Sequence, residues 1–191
     1  MKHYIYIPGL NDRLDLLRRF VLLRWKNADS RVILVPMHWS DKTETYEQKY
    51  DRLQEVINRV DEDDTLILVG ESAGGSMALL TYMRLPSKIH SVITICGYNH
   101  GSVDIHEHHR RNSPALFTAV QETEKHLPAM SPEMRRRITT IYSTKDTVVT
   151  PDHTRIDGSM WIEMNTPGHL KNIGRILLAG PTTLQQDKSS Q

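Results

Sequence analysis

Leu66-Ile67-Leu68-Val69-Gly70-Glu71-Ser72-Ala73-Gly74-Gly75 is the stretch whose reading decides the fold. Four apolar residues in a row, with no polar alternation, fit a strand buried on both faces. Gly70 to Gly74 match G-x-S-x-G, and the segment from Ala73 to Arg84 reads as a helix that stops before Pro86. A sharp turn from strand to helix lifts a serine hydroxyl above the sheet. The backbone there passes so close to its neighbours that Gly70 and Gly74 have no room for side chains, and Gly75 extends the same small surface. The first N–H groups of the helix point toward the serine, where an oxyanion would form. Composition alone produces such a pentapeptide in roughly one chain in twenty of this length. The strand before it and the helix after it therefore carry the weight of the reading. An inert serine in a tight glycine turn is the competing reading.

Outward from this motif, six short apolar runs recur: Tyr4–Ile7, Val32–Val35, Leu66–Val69, Val92–Cys96, Ile138–Tyr142 and Met160–Met164. The first five are nearly continuous in apolar character, as in a parallel sheet covered on both sides. Helical periodicity appears between them. Leu14, Leu17, Val21 and Trp25 form one stripe; Tyr46, Tyr50, Leu53, Ile57 and Val60 form a second, with Asp41 and Glu44 as a capping box; Leu170, Ile173 and Leu177 mark the last helix. Strands alternating with helices predict right-handed βαβ units and a three-layer α/β sandwich around a six-stranded, mainly parallel sheet. About forty residues separate Cys96 from Ile138, too many for an ordinary connection. Gly97 to Arg111 reads as an irregular loop, and Ser113-Pro114 opens a helix toward Leu127. Residues 98–136 are read as a small cap-like insertion in a single domain of residues 1–180, followed by a polar, disordered tail over 181–191.

A serine needs a base to act as a nucleophile, and the chain has ten histidines. His169 sits in Asn165-Thr166-Pro167-Gly168-His169-Leu170, a turn after the last strand and just before the last helix, hence on the same rim as Ser72. His3 and His90 precede their strands, and His126 ends the insertion helix. His38 and His100 follow strands and can line a pocket, but no acid-bearing loop is placed before them. Asp146, on the first loop after Ile138–Tyr142, is the expected orienting acid, with Asp152 its nearest rival. An oxyanion hole needs two backbone donors. Ala73 N–H is one; Leu10 N–H is the other if Gly9 lets the loop Pro8–Asn11 turn inward. A plain strand-ending turn is the alternative for that loop.

Taken together, the turn Gly70–Gly74, the loop Pro8–Asn11 and the loops carrying Asp146 and His169 resemble the α/β-hydrolase family from about Lys2 to Leu178. The order Ser, Asp, His is the one expected of it. The family usually has two further strands ahead of the oxyanion loop, so the resemblance is to its compact members and implies that the first strand lies between the second and third. Pro8-Gly9 stands where many members carry His-Gly. The implied activity is hydrolysis of a carboxylic ester or thioester, with Ser72 as nucleophile, His169 as base and Asp146 as orienting acid. A catalytically silent binding protein on the same fold, or amidase, peptidase, lyase or acyltransferase chemistry on the same residues, are the alternatives.

Composition narrows the partners. Hydrophobic residues make up 38% and charged residues 25%, with 24 basic and 23 acidic side chains for a net charge of +1. That balance points to neither nucleic acid nor an anionic membrane as the main partner, and leaves a small acyl substrate. One cysteine, Cys96, excludes an internal disulfide framework and reads as a small buried hydrophobe. The absence of a leader or an apolar span makes a cytoplasmic protein the expectation. His106-Glu107-His108-His109-Arg110-Arg111 lacks the His-Glu-x-x-His spacing and reads as a solvated loop or cap surface, so neither metal nor cofactor is expected. Leu116, Phe117, Trp39 and Tyr98 are candidates for an apolar pocket wall, against ordinary packing.

Overall fold

The computed structural model describes residues 1–180; the tail expected over 181–191 lies outside the described residues. Six parallel strands form one sheet: β1 (Lys2–Ile7), β2 (Ser30–Leu34), β3 (Thr65–Glu71), β4 (Ser91–Ile95), β5 (Ile138–Tyr142) and β6 (Met160–Glu163). The spatial order is β2-β1-β3-β4-β5-β6, so β1 lies between β2 and β3 as expected. The chain reverses direction across the sheet between β1 and β3, and there the loops after these two strands diverge to leave a crevice.

Both faces of the sheet are covered because successive side chains alternate. Tyr4 and Tyr6 of β1 and Ile67 and Val69 of β3 face α1 (Asp15–Leu22) and α8 (His169–Ala179), together with Trp25. Ile5, Ile7, Leu66 and Leu68 face α2 (Tyr46–Ile57), α3 (Gly74–Arg84) and α5 (Pro114–His126). Trp25 joins the first layer together. Its ring meets Tyr4 and Tyr6 edge-on at 5.9 and 6.1 Å, and its Nε1 donates to Leu177 O of α8 at 2.8 Å.

Several local readings change. The capping box of α2 is Thr45 with Gln48, not Asp41 with Glu44. Asp41 instead accepts from Thr43 in a turn, and Glu44 pairs with Lys49 and Arg52. The insertion is more ordered than a loop. It holds a 3-10 turn (Ser102–Asp104), the short helix α4 (Glu107–Asn112), α5 and α6 (Pro132–Arg136); the short α7 (Pro151–Thr154) lies beyond it, between β5 and β6. Ser113 precedes Pro114 but makes no side-chain cap. Helix α5 is part of the core layer: Leu116, Ala119 and Val120 are buried with α3, and Thr123 Oγ1 donates to Ser76 O at 3.1 Å. Tyr98, Asp104, Ile105, His106 and His109, from the segment before α5, line a cavity with Ser72.

The largest change is in α1. Its buried face is Asp15, Arg18 and Leu22, continuing to Trp25, while Leu17 of the expected stripe is exposed. In α8 likewise Ile173, Ile176 and Leu177 are buried and Leu170 is not.

The glycines of this fold give opposite expectations. A Cβ on Gly74 would overlap the Ile7 carbonyl, a backbone atom that cannot yield, whereas one on Gly174 in α8 would meet nothing within 4 Å. Gly74→Ala should therefore destabilise by about 3 kcal/mol or more despite the helical gain. Gly174→Ala should stabilise by up to about 1 kcal/mol. Urea unfolding of the two variants checks both signs.

Candidate active site

Five loops leave the carboxyl ends of β1, β3, β4, β5 and β6 on one rim. Between the end of β3 at Glu71 and the start of α3 at Gly74 there is room only for Ser72 and Ala73. That tight reversal forces Ser72 to φ 48°, a left-handed conformation that costs a residue with a Cβ. Hydrogen bonds hold it there. Ser72 N–H donates to Ile95 O at 3.0 Å, and Ser72 O accepts from Gly75 N–H and Tyr98 N–H, both at 2.9 Å.

His169 is the first residue of α8, after Gly168 at φ 95°. Its Nε2 lies 2.9 Å from Ser72 Oγ and its Nδ1 lies 2.7 Å from Asp146 Oδ2. The other Asp146 oxygen accepts from Val148 N–H at 2.9 Å and Val149 N–H at 3.1 Å. Burial by itself would raise the Asp146 carboxyl, but hydrogen bonds from His169 and from the two backbone groups outweigh it and hold it below its ordinary value. An ionised carboxylate can only accept, so Nδ1 carries a proton, and a neutral ring in that tautomer turns the Nε2 lone pair toward the serine hydroxyl. Ser72, His169 and Asp146, far apart in the chain, are thus in one hydrogen-bonded row.

The rivals lie elsewhere. Asp152 is exposed and pairs with Arg155 at 3.1 Å. His3 contacts Asp64, His100 contacts Arg155 O, and His126 lies by Glu122.

Leu10, Ser72 and Ala73 share the wall of a cavity of about 320 Å³. Neither Leu10 N–H nor Ala73 N–H has a protein acceptor among the described residues. Gly9 is what lets the loop come this close, because a Cβ there would stand 2.8 Å from Ser72 Cβ and 3.1 Å from Glu71 O. Of the four candidates for a pocket wall, Tyr98 and Leu116 line the cavity. Trp39 and Phe117 do not: Trp39 is in the core, its Nε1 donating to Pro8 O at 2.9 Å, and Phe117 lies beneath Arg110. Ile105, Val148 and Val149 complete the apolar part. Larger clefts, of about 470 and 620 Å³, open beside the amino ends of the strands and reach none of these residues.

Two groups escaped the sequence reading. One is the polar part of the cavity lining: His106, His109 and His153 with Asp104. His153 Nε2 lies 3.0 Å from Asp104 Oδ2, and its ring stacks on Tyr98 at 4.9 Å. His109 is pushed down by burial, with the neighbouring His108 and His106 adding to the effect. Nothing in the local sequence marks His153. The His106–His109 stretch, read from the sequence as a solvated loop or cap surface, lines the same cavity as His153.

The other group lies under the serine turn. Glu71 is buried, and its carboxylate accepts from Tyr6 Oη at 2.5 Å, Arg18 Nε at 2.8 Å and Arg18 Nη2 at 2.5 Å. Arg18 also donates to Asp15 at 2.9 Å, Asn11 O at 3.0 Å and Leu10 O at 3.3 Å. One guanidinium thereby ties the loop after β1 to the residue before Ser72. Burial drives the Tyr6 hydroxyl well above its usual range, and Glu71 adds to it, so the phenol stays a donor.

Cys96 Sγ, Asp146 and His169 come within 4.8 Å of one another, a spacing a metal ion would accept. Burial raises the Cys96 thiol far above its ordinary value, with Asp146 next in effect, so it is the neutral form, and both partners are already hydrogen-bonded. A cation would have to break the His169–Asp146 bond, so the donor set does not fit one.

No family model matches the chain, and no curated protein matches it by sequence. Solved structures do. A metagenomic carboxyl esterase superposes with TM-score 0.65 at 14% identity over 89% of this chain, which spans 64% of the esterase. Mouse alpha/beta hydrolase domain-containing protein 10 superposes with TM-score 0.64 at 17% identity, over 98% of this chain and 90% of that one. The chain has the α/β-hydrolase fold. The thioesterase domain from the curacin biosynthetic pathway shares it, with TM-score 0.61 at 12% identity over 91% of this chain and 87% of the domain. At such identities the likeness is one of fold. Within the α/β-hydrolase fold, G-x-S-x-G is the strand-to-helix turn that raises a serine over the sheet edge. No helix among the described residues is long and apolar enough to cross a membrane.

Arg18→Met should destabilise the protein by about 3–5 kcal/mol, since it leaves the Glu71 carboxylate buried without its cation. Adding Glu71→Gln should recover part of that loss. Urea unfolding of the two single variants and the double variant measures the coupling; strictly additive losses would contradict the pairing.

Proposed function

We propose that the protein is a serine hydrolase that cleaves a carboxylic ester or thioester through an acyl-enzyme. One observation carries this reading: the His169 ring spans Ser72 Oγ and Asp146 Oδ2 at 2.9 and 2.7 Å, with the Asp146 carboxylate held ionised. The esterase and thioesterase among the fold neighbours support the class of substrate.

In this mechanism Ser72 Oγ attacks the carbonyl carbon while His169 Nε2 takes its proton. The imidazolium is stabilised by Asp146. The carbonyl oxygen, now an anion, takes hydrogen bonds from the unpaired Leu10 and Ala73 N–H groups, at the amino end of α3. His169 then gives the proton to the departing alkoxide or thiolate, leaving the acyl group on Ser72. Water, deprotonated by His169, attacks that acyl carbon and releases the acid with the serine restored. Arg18 and Glu71 act through position: they hold Leu10 and Asn11 against the serine turn. The apolar wall of Leu10, Ile105, Leu116, Val148 and Val149 receives the acyl group, and residues 97–112 form the cap over it.

A fluorophosphonate probe should label the protein, and the modified residue should map to Ser72. Ser72→Ala should abolish labelling and lower kcat/KM on a p-nitrophenyl ester by about 10³-fold or more. Asp146→Asn should lower kcat by about 10³-fold or more with little change in KM, because the wrong His169 tautomer then faces the serine. A Ser72→Ala protein as active as its parent, or one still labelled, rejects the proposal.

A further inference from the structure

Six of the eleven large apolar side chains exposed on the described residues belong to one place: Leu16, Leu17, Phe20, Leu23, Leu170 and Leu178. Leu16 is 80% and Phe20 72% exposed. Leu16, Phe20 and Leu23 follow one another at helical spacing along the outer side of α1. Leu17 and Val21 turn toward α8 and line with Leu170, Leu177 and Leu178 a groove of about 250 Å³. Patches of this kind on a folded domain mark an interface.

The exposed charges of the two segments that carry this patch have a single sign. Arg13, Arg19, Arg24 and Lys26 flank it on the first side, and Lys171 and Arg175 on the second; all are exposed. From Arg13 to Lys26 and from His169 to Gly180 the sole carboxylate is Asp15, and Arg18 occupies it. Glu71, at the groove floor, is buried and paired. The chain's net charge of +1 conceals this segregation, because of its 23 acidic side chains one falls between Arg13 and Lys26 and none between His169 and Gly180.

We propose that the α1–α8 face seats the protein on an anionic lipid surface. The leucines and Phe20 enter the boundary between headgroups and acyl chains while the six cations meet the lipid phosphates. Charge selects this occupant over a second copy of the chain. A twofold pairing of the face would bring six cations against six, with no exposed carboxylate within either segment to relieve them. The face begins one residue from His169, so docking leaves the serine rim beside the lipid.

The test uses the full chain in a flotation assay with vesicles of phosphatidylcholine alone and of phosphatidylcholine mixed with phosphatidylglycerol. Flotation is expected with the mixed vesicles, and it should weaken as salt is raised. Phe20→Ser with Leu23→Ser, and separately Arg19→Glu with Arg24→Glu, should each lower binding by about tenfold. Both pairs are exposed, so thermal unfolding midpoints should stay with the parent's. Failure to float with either vesicle, equal retention on neutral and anionic vesicles, or parent-like binding by both variants overturns the proposal. So does a parent dimer in sedimentation equilibrium that Phe20→Ser with Leu23→Ser converts to monomer. The readout is independent of catalysis, so it stands or falls apart from the proposed hydrolase activity.

Discussion

The backbone reversal at Ser72 is the constraint from which the rest of the site follows. A strand that ends at Glu71 and a helix that starts at Gly74 leave two residues to turn the chain, and that forces Ser72 to positive φ. Such a conformation persists only where surrounding contacts over-determine it. Here β4 supplies the acceptor for Ser72 N–H, the chain after Cys96 supplies a donor to Ser72 O, and the missing side chains of Gly70, Gly74 and Gly9 let three backbones crowd together. The hydroxyl then stands on the rim where the loops after β5 and β6 deliver Asp146 and His169.

The polar group beneath this turn has consequences far from it. Glu71 must be buried because it precedes Ser72 and points back under the sheet edge, and a buried carboxylate needs a cation. Arg18 supplies it, aided by Tyr6, and so fixes the rotation of α1. At 3.6 residues per turn, a helix that turns Asp15, Arg18 and Leu22 inward presents Leu16, Phe20 and Leu23 to the outside. One ion pair thereby accounts for both the tethered loop Pro8–Asn11 and the apolar outer face of α1. That face has no counterpart in the demands of the site, and its rim of cations without acids distinguishes it from an ordinary helix surface.

Over the rim, the segment between β4 and α5 encloses the cavity with a mixed wall. Its lining joins aliphatic groups (Leu10, Ile105, Leu116, Val148 and Val149) to His106, His109, His153 and Asp104. Helix α5 is packed on α3 and shares its core, so it is residues 97–112 rather than α5 that supply Tyr98, Asp104, Ile105, His106 and His109 to the cavity lining.

Much of this was legible in the residues themselves. Continuous apolar runs such as Leu66–Val69 identify strands buried on both sides because a parallel sheet leaves neither face to water, and Gly70, Ser72 and Gly74 mark a turn whose crowding admits nothing larger. The rim positions of Asp146 and His169 follow from where a loop must emerge in a parallel sheet, since each strand delivers its carboxyl end to the same edge. Only the tertiary structure could decide which face of α1 turns inward. Periodicity weighs apolar area and assigned Leu14 and Leu17 to the core, but a buried charge outranks several leucines, and the partner of Arg18 lies fifty-three residues away. His153 was equally silent, because a histidine becomes part of a pocket through neighbours that the chain brings to it only after folding.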